Sequence, residues 1–324
     1  MERNITIDIL RGFCMFCIVG IIHLSQYLGQ EHYLFLIPFG NCIGWSCLGT
    51  FSLISGYLIG RKYCFHSFSD VGLFYKKRLV RFYPLFVLSA ICLLCIGFNN
   101  SCQTVNALTG LSPFVQDKTC RPLTLWYISM IMIFYLISPL LLASRKWPRI
   151  AISVLLMALS VGMSLFIYVD KRFVFNLFLY LLGTCLALFD LSKLQKFTGW
   201  GGMTFALVSY VGMLSLLDVV HHSILRWSTI FFGVLCFVIV ASFLSKKISA
   251  TNKCVHFLSY VSMSAYLFHR FTYWACLKIF HPDDLTLLGL YLFLFALPVT
   301  LCFAYYVQKC YDKLVSSLLS NKSK

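Results

Sequence analysis

The stretch RGFCMFCIVGIIH, residues 11–23, opens on an arginine, closes on a histidine and carries only apolar or small side chains between them. Its apolar character is continuous rather than alternating, and with its flanks it is long enough to enter hydrocarbon as a helix. An ionisable residue in such a segment is costly in lipid and faces a bundle interior or a wet cavity instead. The decisive question is whether the rest of the chain supplies a bundle.

It does. Of 324 residues, 60% are apolar and only 12% charged, and the mean hydropathy is +0.82; a water-soluble globule of that composition could not cover its surface with polar groups. Apolar runs of the length that crosses a hydrocarbon core of roughly 30 Å fall at 5–27, 39–60, 78–98, 124–143, 150–169, 173–190, 200–219, 226–244, 257–280 and 286–309. The expectation is an all-α polytopic integral membrane helical bundle of about ten transmembrane helices, forming a single integral-membrane domain over 1–324. No internal repeat, low-complexity tract or linker interrupts it. The first run has no small-residue cleavage site leading into more soluble sequence, so it is read as a span and not as a removed leader.

Charge placement orients the spans, because lysine and arginine in short loops stay on the cytoplasmic side. With the N-terminus inside, the inner segments hold Arg3, Arg61, Lys62, Lys76, Lys77, Arg145, Lys146, Arg149, Lys193, Lys196, Lys246, Lys247, Lys253, Lys309, Lys313, Lys322 and Lys324. The outer side holds Lys118, Arg121, Lys171 and Arg172 in loops, with Arg226 and Lys278 at span ends. Both termini are therefore expected in the cytoplasm, in a multi-pass protein of the cell inner (plasma) membrane. The net charge of +16 is dispersed over short inner segments, which argues against a nucleic-acid partner and matches the anionic inner leaflet of a lipid bilayer.

Fifteen cysteines suggest a disulfide or metal framework, yet Cys14–Cys17 and Cys92–Cys95 are C-x-x-C pairs inside apolar runs without polar ligands nearby, and read as small hydrophobes; no metal site is expected. Cys102 and Cys120 share the longest outer loop, where an oxidising compartment would permit a bond.

Function is then sought in polar residues within or beside the spans. Asp8 and Arg11 are three apart and can pair on one face, either as an interfacial salt bridge or as part of a site. His23 lies roughly 18 Å further along the helix; histidine titrates near neutrality and can take a proton from a hydroxyl. In FSLISGYLIGRKYCFHSFSDVGLFYKKRLVRFYPL, residues 51–85, a span ends around Ser55, Gly56 and Tyr57, an inner loop carries Arg61, Lys62, Lys76 and Lys77, and the next helix opens with Arg78 and Arg81. Those two arginines project from one face, and forked guanidinium groups suit a pyrophosphate or a phosphate monoester.

Five motifs in order, IDILRGF…H (7–23), FSLISGYLIG (51–60), KKRLVRFYPLF (76–86), LWYISMIMIFYLISPLL (125–141) and LSYVSMSAYLFH (258–269), resemble the membrane-bound acyltransferase 3 family over essentially the whole chain. The resemblance implies transfer of an acyl group, commonly acetyl, from cytosolic acyl-CoA to a hydroxyl of a saccharide or cell-surface polysaccharide, with acyl-CoA as donor substrate and no cofactor bound permanently. On that basis His23 is the expected base with Arg11 as its electrostatic partner, Arg78 and Arg81 the expected anchors of the CoA phosphates, and Asp8, Ser55, Tyr57, Trp126, Tyr135, Tyr266 and His269 candidates to line the site. His269 is the rival base.

Two departures from the family pattern matter. Where many members have a glutamate in the fourth-span motif this chain has Ile131. The family's arginine-to-histidine spacing leaves ten residues between them, within about 20° of one face on an ideal helix; here eleven intervene, which turns the two about 120° apart. A π-type turn or kink between about Phe16 and Ile21 would absorb the extra residue, and Gly20 is its natural place. A different class, a multispanning saccharide transporter or flippase without acyl-transfer chemistry, stays open, although no paired Gly/Pro-interrupted spans mark equivalent halves of the chain.

Overall fold

A computed structural model describes residues 4–29, 37–143, 146–190, 198–220 and 222–320. Of the inner-side cations, Arg3, Arg145, Lys193, Lys196, Lys322 and Lys324 lie outside the described residues. Among those described there is no strand. Helix α1 (Ile5–Phe16) continues as a π-helical turn over Cys17–His23. It is followed by α2 (Ile37–Lys62), α3 (Phe68–Cys95), the short α4 (Ser101–Leu108), α5 (Trp126–Leu142), α6 (Lys146–Phe166) and α7 (Lys171–Leu186). Then come α8 (Trp200–Val219), α9 (Ser223–Leu244), α10 (Lys253–Ile279) and α11 (Leu285–Tyr291), a second π segment over Leu292–Ala296, and α12 (Leu297–Ser320).

Each expected apolar interval falls on one of the long helical segments. Seven of these, among the described residues, are long and apolar enough to cross a membrane. Trp126–Leu142 is apolar but shorter. Helix α10 has the length, yet it is studded with Ser259, Ser262, Ser264, His269, Arg270 and Thr272, all of them buried. A helix with that polar content turns it toward protein and away from lipid, which lowers its mean apolarity without exposing the polar groups.

The chain divides into two compact units, Met1–Phe51 with Leu191–Gln308 and Ser52–Asp190 with Lys309–Lys324. In the first, α1, α10 and the segment around Leu292–Leu297 share a core that includes Met15, Val19, Val261, Ala265, Tyr273, Leu292 and Leu297. Asn4 caps α1 by accepting from the Thr6 amide, and Asn252 caps α10 by accepting from Val255. Both place a small polar side chain where the first orphan amides of a helix need an acceptor. Gly12 lets α10 approach α1 closely, since a Cβ there would sit 3.0 Å from the Leu258 Cβ.

In the second unit, the glycines of SGYLIG are a packing device. A Cβ on Gly56 would lie 2.1 Å from the Tyr180 carbonyl oxygen, one on Gly60 2.7 Å from the Ala187 Cβ, and one on Gly183 2.2 Å from the Leu53 carbonyl oxygen. Small residues four apart on each of two helices allow backbone to meet backbone, the main source of association between helices in lipid. Beside this contact, Ser52 donates to Asn176 Oδ1 at 2.8 Å and lies 3.2 Å from the Tyr127 hydroxyl. Cys102 and Cys120 are bonded, with Cα atoms 5.1 Å apart.

Two expectations are corrected here. The second long helix does not stop near residue 60 but includes Arg61 and Lys62. The third does not open at Arg78: it begins at Phe68, so Lys76 and Lys77 are helical and Arg78 and Arg81 sit in its third and fourth turns. The cause is a capping box, in which Ser67 accepts from the Asp70 amide at 3.2 Å while Asp70 accepts from the Ser67 amide at 3.1 Å. The Ser-x-x-Asp spacing fixes a start ten residues before the apolar run.

Candidate active site

The expected sites are spread over both units: Asp8, Arg11, His23, Tyr266 and His269 belong to the first, and Ser55, Tyr57, Arg78, Arg81, Trp126 and Tyr135 to the second.

In the first unit the π turn carries the geometry. A π-bulge takes one extra residue into a helix; on ideal geometry one such insertion offsets the eleventh intervening residue between Arg11 and His23, giving the relation that a ten-residue gap gives on a regular helix. Two features support the turn locally. Gly20 is packed against Leu297, whose Cδ2 would stand 3.0 Å from any Cβ at that position. The Tyr273 hydroxyl donates at 3.0 Å to the Val19 carbonyl inside the turn, where a bulge disturbs the intrahelical ladder and leaves acceptors in need of partners. Tyr273 is fully buried and comes from α10.

The same helix supplies the partner of His23. His23 Nδ1 lies 2.7 Å from His269 Nε2, and His269 Nδ1 lies 2.8 Å from the Tyr266 carbonyl oxygen. The imidazole rings are inclined by 14° with centroids 4.7 Å apart. His269 is fully buried whereas His23 is half-buried, so of the two only His23 presents surface to an incoming group. The ring of Tyr266 stands 6.0 Å from that of His269. Next to His269, the buried Arg270 donates through Nη2 to Gln26 Oε1 and places its guanidinium 5.5 Å from the Tyr27 ring centroid. One histidine that can exchange a proton, with a buried cation nearby, is a combination suited to activating a hydroxyl.

Toward the N-terminal end of α1, Asp8 accepts from the Ser259 hydroxyl at 2.6 Å and lies 3.2 Å from His256 Nδ1, while His256 Nε2 stands 2.6 Å from the Ala250 carbonyl oxygen. Asp8 thus ties the start of α1 to α10. Arg11 is half-buried one turn further on.

In the second unit Arg78 is enclosed by aromatic faces: its guanidinium lies 5.2 Å from the Tyr135 ring centroid and 5.6 Å from those of Tyr63 and Phe74. Three aromatic rings around one guanidinium limit the positions its planar fork can take. Arg81 is exposed, as are Lys76 and Lys77. Trp126 stacks on Arg172 at 4.1 Å, and Arg172 in turn binds Asp170, the cap of α7. Ser55 and Tyr57 flank Gly56 and are half-buried on α2.

Gln26, Tyr27, Arg270 and Tyr273 were not singled out as site residues from the sequence. Their usable signal is proximity in the chain: the first two follow His23 within four residues and the last two follow His269 within four.

A family model described as "Acyltransferase domain" matches residues 4–308. No curated protein and no solved structure gives a significant match. Against an acyltransferase family the transporter reading is not favoured. The match takes in nearly the whole chain, including the π turn of α1, the glycine contact of α2 and the histidine of α10, and the chain therefore belongs to the acyltransferase 3 family and is an acyltransferase.

Proposed function

We propose that the protein moves an acyl group, in the first instance acetyl, from acyl-CoA to a hydroxyl of a saccharide or cell-surface polysaccharide. The observation that carries this reading is the approach of His23 to His269 at the end of the π turn. His23 takes the proton of the acceptor hydroxyl as its oxygen attacks the thioester carbonyl carbon. A carbon–oxygen bond forms, the carbon–sulfur bond then breaks, and the departing CoA thiolate recovers the proton from the imidazolium. Ester and free thiol are the products, and atoms and charge balance. Arg11, on the same helix but roughly 18 Å from His23, acts with it through a shared ligand, holding the donor by its charge while His23 works on the acceptor. Arg78, held in its aromatic enclosure, and the exposed Arg81 bind the CoA phosphates from the cytoplasmic side. The membrane arrangement that goes with this is ten crossings with both termini in the cytoplasm, in a bacterial inner membrane.

The test is acyl transfer by purified protein in lipid, supplied with acetyl-CoA and a panel of saccharides. Release of CoA thiol that depends on a saccharide, with a matching acetyl mass increment on that saccharide, is expected. Thiol release at the same rate with and without every hydroxyl acceptor would contradict the acceptor assignment.

A further inference from the structure

The two histidines are not equivalent, and the hydrogen bonds around them say which nitrogen does what. The Tyr266 oxygen is a carbonyl and can only accept, so at 2.8 Å His269 Nδ1 must be the N–H that donates to it. In a neutral imidazole one nitrogen carries the proton and the other the lone pair. His269 Nε2 is then an acceptor, and the proton shared over 2.7 Å belongs to His23 Nδ1. The lone pair of His23 consequently resides on Nε2.

Ring geometry supports a true in-plane bond. Rings stacked face to face keep their planes about 3.5 Å apart, too far for two nitrogens to meet at 2.7 Å. With planes only 14° apart, the imidazoles must instead meet edge to edge, as an N–H···N bond directed along the ring plane requires. His269 is itself held in place: the Tyr266 ring stands 6.0 Å away, and the Tyr273 ring meets it edge-on at 6.1 Å. The second contact comes from the residue that also satisfies the π turn bearing His23. Helix α10 therefore positions both the backbone that presents His23 and the side chain that selects its tautomer.

We propose that His269 is a positioning residue: by accepting from His23 Nδ1–H it fixes His23 in the tautomer whose Nε2 is unprotonated, and His23 Nε2 is the atom that takes the acceptor's proton. The inference rests on the reading of His23 as base but adds to it, because it assigns the atom, removes His269 from the role of rival base and gives it a different one. The carbonyl of Tyr266 anchors the arrangement, so the tyrosine contributes through its backbone and its ring, and not through its hydroxyl.

The direct experiment is nitrogen NMR of the full chain in lipid with ¹⁵N-labelled histidine, His23 being assigned by its loss in His23→Asn. Wild type should show His23 with Nδ1 protonated and Nε2 bare; Nε2 protonated would overturn the proposal with His269 left intact. In His269→Ala the Nδ1–H tautomer should be lost, and kcat for acetyl-CoA-dependent acyl transfer should fall by roughly 10²–10⁴, the scale of a misoriented base, with the KM for acetyl-CoA within about twofold of wild type. His269→Gln keeps an oxygen acceptor near the position of Nε2 and should restore both the tautomer and most of the turnover. A His269→Gln variant as inactive as His269→Ala, with His23 still Nδ1-protonated, would make His269 a base and overturn the proposal. Failure of the underlying reading looks different: His23→Ala would keep wild-type turnover, whatever the tautomer.

Discussion

Replacing Gly183 by alanine is the sharpest probe of how the second unit is built. The added methyl would stand 2.2 Å from the Leu53 carbonyl oxygen and 2.9 Å from the Tyr57 amide nitrogen. Ordinary contacts between such atoms lie near 3.5 Å. The obstruction is backbone on both counts, so no side chain can rotate away; α2 and α7 must separate by roughly 1 Å, and the contacts of Gly56 with Tyr180 and of Gly60 with Ala187 open with them. Overpacking of this kind costs about 1–3 kcal/mol. For a unit of about 150 residues, that is a fall of about 2–12 °C in the apparent melting temperature. Gly162→Ala is the control, because a Cβ there meets nothing within 4 Å and alanine is the better helix former by about 0.5–1 kcal/mol. Thermal unfolding of both variants in the same detergent, followed by thiol-reactive dye, gives the comparison. Equal melting temperatures for Gly183→Ala and wild type would refute the close contact of the two helices.

Other outcomes follow from the donor side, the outer loop and the π turn. Arg78→Ala and Arg81→Ala should each raise the KM for acyl-CoA at least about tenfold, as expected for charge-assisted contacts of about 1.5–3 kcal/mol, whereas Lys76→Ala should change it little; equal small effects at all three positions would leave the arginines as topology signals only. Cys102→Ser should lower stability by about 3 kcal/mol, from the unfolded-state freedom of a loop whose ends are 18 positions apart in sequence, and both cysteines of the wild type should resist alkylation until reduced. Tyr273→Phe removes the donor to the Val19 carbonyl; leaving that oxygen unsatisfied should cost about 1–3 kcal/mol and reduce turnover more than acyl-CoA affinity, and unchanged turnover would separate the π turn from catalysis.

The apolar runs located every long helix, because a span must be apolar over most of its length and nothing else in the chain is. The irregularity in α1 was legible only against the family resemblance: that pattern leaves ten residues between arginine and histidine where eleven intervene here, and the π turn, expected between about Phe16 and Ile21, falls over Cys17–His23 with Gly20 inside it. Partnerships were not legible. His23 and His269 are 246 positions apart and Asp8 and His256 are 248; periodicity tells which face of a helix is polar, but not which helix it meets. The glycines of SGYLIG are legible as a motif, yet their purpose depends on Gly183 and the Leu53 carbonyl, which only the fold brings together. The start of α3 was missed for a different reason. The apolar run marks only the part of the helix suited to hydrocarbon, whereas its start is set by the Ser67–Asp70 capping box, a local signal that needs no partner.

Single-turnover acyl transfer by His23→Ala, in lipid and with saturating acetyl-CoA, decides whether His23 is the base that activates a hydroxyl. The rate of the chemical step should fall by about 10²–10⁴, with acetyl-CoA bound as tightly as by the wild type. A His23→Ala protein that binds acetyl-CoA and transfers its acetyl group at the wild-type rate would contradict that role.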